Sequence, residues 1–327
     1  MKKVLGMGNA LTDILLQIEN NSVLDKLNLP KASMQLIDAA KMHEISNNLS
    51  HLTPKMATGG SASNTINGIT KLGVSAGFVG KIGRDAVGEF FKNDSINNGV
   101  TPHLLYSNTP SGQCTVLVSP DGERTLCTFL GAACELIADD LNVEMFQGYD
   151  IFHIEGYLVQ NHDLIRKAVR LAKESGLMVS IDLASYNVVD ANLEFLNEII
   201  QAYVDIVFAN EEEARAYTGK EPVEALIHIA DHCDIAIVKI GKDGSFVKSG
   251  NEQVQIQPIL ANCIDTTGAG DLYAAGFLYG LACNYSLELC GQIGSLVSAK
   301  VVEVLGAKMT DEVWIKIHAE INNLVNE

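Results

Sequence analysis

Asp265-Thr-Thr-Gly-Ala-Gly-Asp271 is followed by the apolar run Leu-Tyr-Ala-Ala-Gly-Phe-Leu-Tyr-Gly-Leu-Ala. Gly268, Ala269 and Gly270 would open a buried helix there. The first N–H groups of a helix have no intrahelical partner, so they converge on one spot and suit an anion. With so little bulk, a phosphate could approach the backbone closely. Asp271 falls in the first turn, where a carboxylate either caps the helix or meets an incoming hydroxyl as a base.

Other candidates stand at the ends of elements. Asn9 and Asp13 flank the end of a first apolar strand, KKVLGMGN, the edge at which open parallel sheets bind ligands; a turn and a solvated Asp is the plain alternative. Gly59 and Gly60 lead into a helix on which Ser61 and Asn64 face the same way, as a cap or as polar contacts. Arg124 follows a Pro-Asp-Gly-Glu turn and is either a surface residue or a phosphate ligand. Asn210 ends a strand with Glu213 three residues on, the pattern of a capping box. Lys239-Ile-Gly-Lys-Asp-Gly244 reads as a hairpin with glycines at 241 and 244, either a plain turn or a loop under a nucleotide.

Composition narrows the class. At 327 residues, 47% apolar and 19% charged, the chain can build a large core. A net charge of -17 argues against nucleic acid as a partner. Asp13 interrupts the N-terminal apolar run, so it reads as a strand and not as a signal peptide, and no stretch is long enough to span a bilayer. Seven cysteines without a C-x-x-C suggest reduced thiols in a cytoplasmic protein. His228 and His232 have metal-ligand spacing, but their apolar neighbours favour helix packing.

The pattern predicts an α/β fold. Strands at 150–155, 178–183, 206–210 and 235–240 alternate with helices near 161–175, 191–202, 211–218 and 222–233, the signature of a doubly wound, mostly parallel sheet. Helices near 268–283, 286–304 and 311–326 follow. Segments 14–19, 34–37, 104–106, 112–118 and 124–130 read as strands of a small separate sheet. The expected organisation is a single domain over 1–327, with a β lid formed by about 13–38 and 102–131. A homodimer through the outer face of that sheet would cover Val116 and Leu126.

DTTGAGDLYAAGF resembles the second signature of the ribokinase-like (PfkB) family of carbohydrate and nucleoside kinases, and Gly59-Gly-Ser-Ala-Ser-Asn-Thr-Ile-Asn-Gly-Ile-Thr-Lys-Leu-Gly73 resembles the first. They come in the family's order, and the likeness covers nearly the whole chain. It implies transfer of the ATP γ-phosphate to a primary hydroxyl, with Asp271 as base and the Gly268, Ala269 and Gly270 amides as anion hole. It implies substrate contacts at Asn9, Asp13, Gly60, Ser61 and Asn64, and a lid Arg124 that reaches the transferred phosphate. It puts Asn210, Glu213, Lys239, Gly241, Gly244 and Thr266 on the nucleotide side, with Mg²⁺ organised by Glu213 through water and K⁺ as a monovalent cation near Asp265.

GMGNALTD is similar to the start of the family's adenosine kinases, in which the matching Asp accepts from ribose hydroxyls. Ala10 and Thr12 depart from that pattern. Adenosine is therefore the expected substrate; ribose, fructose or a keto-deoxy sugar acid is the alternative. A non-catalytic nucleotide sensor fits poorly with an intact GAGD. Every Gly-Lys pair is followed by Ile, Glu or Asp, so there is no Walker motif. Leu11 stands where a dinucleotide fingerprint needs its third glycine, which argues against an oxidoreductase.

Overall fold

The computed structural model describes residues 1–326. Fourteen strands alternate with helices: β1 (Val4–Met7), β2 (Leu11–Gln17), β3 (Met34–Leu36), β4 (Lys55–Gly59), β5 (Ala76–Gly83), β6 (Val100–Ser107), β7 (Gly112–Val118), β8 (Arg124–Phe129), β9 (Ile151–Glu155), β10 (Met178–Asp182), β11 (Ile206–Asn210), β12 (Ile235–Lys239), β13 (Ser245–Ser249) and β14 (Glu252–Ile256). Nine form one sheet in the order β14-β13-β12-β11-β10-β9-β1-β5-β6, and five form a second, β3-β8-β7-β2-β4. In the large sheet β12, β11, β10, β9, β1, β5 and β6 pair in parallel, and β13 and β14 are antiparallel additions.

Alternation along each strand divides the core between two faces. Val4, Phe78, Ile151, Phe208 and Ile237 point to one side, where the helices Ser61–Lys71, Ala86–Asn97, Ala269–Ala282, Leu287–Val301 and Asp311–Asn326 pack. Leu5, Val79, Phe152, Val207 and Val238 point to the other, under His162–Glu174, Leu193–Tyr203, Glu211–Thr218 and Pro222–Ala230. A doubly wound sheet results, as the alternating pattern predicts.

The small sheet has its own core. Leu16, Leu117 and Cys127 pack with Leu24 and Ile45 from two short helices, Ser22–Lys26 and Ala39–Asn48, and with Leu49 just past the second. Three details differ from the sequence reading. Residues 104–106 belong to β6, parallel to β5 in the large sheet. Lys55–Gly59 forms a strand the reading missed, antiparallel to β2; its Lys-Met-Ala-Thr-Gly lacks the β-branched density that marks a strand. Val116 is 1% exposed within the chain, so no second copy is needed to cover it; the open apolar side chains of this sheet are Met34 and Leu36 on its edge strand.

Candidate active site

Five of the parallel strands carry a polar residue at or just past their C-terminal ends, along one edge of the sheet: Asn9 just past β1, Glu155 on β9, Asp182 on β10, Asn210 on β11 and Lys239 on β12. Opposite them the helix Ala269–Ala282 begins. Gly268 is its N-cap at φ 77°, and no side chain caps it. Ala269 donates to the Thr266 carbonyl (3.1 Å), so its N–H is turned away from the expected anion hole. Among the described residues the N–H groups of Gly268, Gly270 and Asp271 have no acceptor, which leaves open donors where a phosphate would fit. A Cβ on Gly270 would lie 3.2 Å from the Lys239 ammonium, so that cation stands beside the same spot.

Asp271 is held by two donors from the helix Ser61–Lys71. Ser61 Oγ donates to its Oδ1 (2.8 Å) and Asn64 Nδ2 to its Oδ2 (2.9 Å); Thr65 Oγ1 also reaches its carbonyl (3.1 Å). Ser61 and Asn64, from which substrate contact was expected, thus both hold this carboxylate. Burial pushes Asp271 up to about 6, against the lowering effect of those two hydrogen bonds. Asp13 lies within the same field. Burial pushes it up to about 6 as well, Lys308 and Arg124 pull it down, and Asp271 raises it. Among the described residues no donor reaches the Asp13 carboxylate.

Asn9 is less available than its position suggests. Its backbone N–H (2.9 Å) and Nδ2 (2.6 Å) both donate to Glu155 Oε1, while Glu155 Oε2 accepts from Ala62 N (3.0 Å) at the start of the Ser61 helix. Gly60, at φ 91°, is required because any Cβ there would sit 2.2 Å from the Asn9 carbonyl. Glu155 was missed in the sequence, as was Asp182; an acidic residue closing an apolar strand (IFHIE, VSID) is the signal that marks both.

Lys239 Nζ pairs with Asp182 (2.8 Å) in a buried bridge. Despite its burial Asp182 is held below the usual carboxylate range by that ammonium. Glu213 completes the capping box: Oε2 accepts from Asn210 N (2.8 Å) and Oε1 from Asn210 Nδ2 (2.6 Å), while Asn210 Oδ1 accepts from Glu213 N (2.8 Å). Burial pushes Glu213 up to about 7, with Asp182 adding to the rise and Lys239 opposing it. Gly241 opens onto free space, whereas Gly244 is structural, since a Cβ there would lie 2.1 Å from the Ile256 carbonyl. Thr266 is exposed at the mouth of the loop.

Arg124, on β8 of the small sheet, reaches across to the Asp265 carboxylate and to Thr267 Oγ1 (3.2 Å). It thus ends on the loop that precedes the anion site and not on the site itself. Asp265 also accepts from Gly306 N (2.7 Å), Thr267 N (3.0 Å) and Thr267 Oγ1 (2.7 Å). A carboxylate ringed by donors and a guanidinium does not fit a monovalent cation, which needs acceptor oxygens. No group of three or more His, Cys, Asp and Glu among the described residues could hold a metal; a magnesium ion here would depend on the nucleotide's phosphates and on water. His228 and His232 pack on each other, ring centroids 5.5 Å apart.

Residues 23–313 match the model of the pfkB family carbohydrate kinases, and the chain belongs to that family. It is a phosphotransferase with an alcohol group as acceptor, of the kind that includes sugar and nucleoside kinases. An adenosine kinase from Sinorhizobium meliloti is similar in structure, with a TM-score of 0.84 and 34% identity, covering 98% of this chain and 99% of that one. A probable sugar kinase from Rhizobium etli CFN 42 gives 0.86 and 32%, covering 99% of both. A nucleoside kinase from Methanocaldococcus jannaschii is 27% identical over 318 residues, 97% of this chain and 96% of its own. Among the described residues no helix is long and apolar enough to cross a membrane, and all seven cysteines are free.

Proposed function

We propose that the protein is a nucleoside kinase that transfers the γ-phosphate of ATP to the 5′-hydroxyl of adenosine. The observation that carries this reading is Asp13: a carboxylate in the cleft with Asp271 and without a protein donor. It can accept from two neighbouring hydroxyls, as a ribose diol demands. The similarity to an adenosine kinase and to a nucleoside kinase over almost the full chain supports a nucleoside.

In this mechanism Asp271 takes the proton of the 5′-hydroxyl, with Ser61 and Asn64 fixing its two oxygens. Its elevation to about 6 brings it nearer the pH at which a general base is most effective. The open N–H groups of Gly268 and Gly270 hold the transferring phosphoryl group, and Lys239, held by Asp182, supplies a positive charge beside it. Glu213 orders water around the phosphates. Mg²⁺ held by those phosphates and by water near Glu213 would supply neutralising charge. Arg124 closes the small sheet over the acceptor as a lid, by its bond to Asp265. Free thiols throughout the chain favour a reducing, cytoplasmic setting.

A sugar kinase is the second reading, favoured by the similarity to the probable sugar kinase. The test is ADP release with ATP, Mg²⁺ and matched concentrations of adenosine, 2′-deoxyadenosine, 3′-deoxyadenosine, ribose, fructose and a keto-deoxy sugar acid. Adenosine should exceed ribose and fructose in kcat/KM by at least about tenfold, because burying a purine adds more than one methylene-equivalent of transfer energy. The deoxy analogues should fall by up to about 10⁴, and Asp13→Ala should lose most activity on adenosine. If a sugar outruns adenosine, the nucleoside reading fails and the family-level kinase stands.

A further inference from the structure

Three buried polar atoms without a hydrogen-bond partner come from one neighbourhood: Lys308 Nζ, Asn64 Oδ1 and Asn67 Oδ1. Asn64 and Asn67 share a face of the helix Ser61–Lys71. The amide nitrogen of Asn64 is taken by Asp271 and that of Asn67 by Thr58 Oγ1 (3.3 Å) and Ser63 O (3.0 Å). Thr58 Oγ1 in turn donates to Asp94 (2.8 Å).

Lys308 comes from the segment after the helix Leu287–Val301. Just before it, Gly306 N–H binds Asp265, and Ala307 packs on Gly268, where an added Cβ would be only 2.6 Å from the Ala307 Cβ. Just after it, Asp311 pairs with Lys71 (3.0 Å) at the far end of the Ser61 helix. The segment therefore runs from the anion loop along that helix, and Lys308 lies midway. The charges facing it are Asp94, Asp13 and Asp271, with Lys71 opposing.

A buried ammonium without an acceptor is costly, and so are two buried amide oxygens without donors. Three such atoms near Asp13, Asp94 and Asp271 leave polar valences that the protein itself does not fill and that the hydroxyls of a ligand could. The ligand must give hydrogens to oxygens and accept one from an ammonium at the same place. A hydroxyl does both. An anionic acceptor group would satisfy Lys308, yet would leave the Asn oxygens without donors and meet three aspartates.

We propose that Lys308 is a specificity-determining residue: its ammonium donates to one hydroxyl oxygen of the acceptor, and separate hydroxyls of the same acceptor donate one hydrogen each to Asp13 and to the Asn64 and Asn67 amide oxygens. This rests on the function proposed above only in placing the acceptor between Asp13 and Asp271. It selects a neutral polyol face and disfavours sugar acids.

The test compares Lys308→Met and Lys308→Arg with wild type by calorimetric binding of the acceptor that the substrate panel identifies. Lys308→Met should weaken that acceptor at least about tenfold, the worth of a hydrogen bond to a charged group. Binding of a non-hydrolysable ATP analogue should change less than about threefold, and the penalty for one deoxy analogue should shrink. Burial pulls Lys308 down to about 8, so wild-type affinity should decline above that pH. Arg does not titrate there, so Lys308→Arg should retain more affinity than Met and lose the alkaline decline. Acceptor binding by Lys308→Met within twofold of wild type overturns the proposal, as does failure of that variant to fold, which would make Lys308 structural. If ribose is the acceptor found and Lys308→Met weakens it, the nucleoside reading falls alone. If adenosine is the acceptor and the variant binds it normally, only the Lys308 assignment falls.

Discussion

At the scale of single residues the site is built from carboxylates kept in uncomfortable surroundings. Asp271 and Asp13 both sit near 6, each lifted by burial. A base must be deprotonated, so activity should fall as pH drops through about 6, on a limb in which both carboxylates take part, since Asp271 also raises Asp13. The consequence for stability has the opposite sense. With its folded pKa above the unfolded value, Asp271 binds more protons in the native state, so its contribution worsens as pH rises from about 4 to about 6. Asp271→Asn should lower kcat at least about a hundredfold with ATP binding nearly intact, and it should raise Tm at pH 7 more than at pH 4. Steady-state kinetics together with calorimetric melts at both pH values check this. Turnover within a few-fold of wild type would remove Asp271 from the chemistry.

At the scale of elements, one side chain ties three of them together. Glu155 ends β9 and receives the chain after β1 through Asn9 and the start of the Ser61 helix through Ala62. Gly8 has to be glycine because a Cβ there would lie 2.3 Å from Glu155 Oε2. Because that helix carries Ser61 and Asn64, Glu155 positions the holders of Asp271 without touching the reacting atoms. Glu155→Ala would leave three buried donors unsatisfied, at about 1–3 kcal/mol each. Urea denaturation should report a loss of several kcal/mol, with a smaller loss for Glu155→Gln, which keeps one acceptor oxygen. A loss below about 1 kcal/mol for the alanine variant would show that water replaces the carboxylate at no cost.

At the scale of the whole molecule, the 265–270 loop and the small sheet are linked through Arg124 and Asp265, and that loop and the Ser61–Lys71 helix through the segment from Gly306 to Asp311. Ligands bound on the two sides should favour the same closed arrangement, and such coupling is reciprocal. A non-hydrolysable ATP analogue should therefore tighten acceptor binding by about fivefold or more, and the acceptor should tighten the analogue equally. Titrations in both orders measure this. Equal affinities with and without the other ligand would mean that the small sheet does not act as a shared lid. Arg124→Ala should reduce the coupling and also lower the melting temperature of the free protein, since the Arg124–Asp265 pair is only 12% and 11% exposed and its loss leaves the Asp265 carboxylate without its cation.

The amino-acid sequence by itself determined the doubly wound sheet, because alternation of apolar strands with periodic helices admits few other arrangements. It also determined the glycine-rich helix start and its aspartate, since Gly268, Gly270 and Asp271 are local in the chain and their backbone preferences act at short range. The capping box of Asn210 and Glu213 was legible for the same reason. Tertiary structure decided which protein partners each polar residue meets. Ser61 and Asn64 hold Asp271, Asn9 is consumed by Glu155, and Arg124 meets Asp265. Each of these bonds joins residues more than a hundred positions apart, and spacing along a chain carries no information about such partners. Lys308 is the clearest case. In the sequence it is one lysine in an unremarked Gly-Ala-Lys-Met, and only burial beside Asp13, Asp94 and Asp271 gives its charge a purpose.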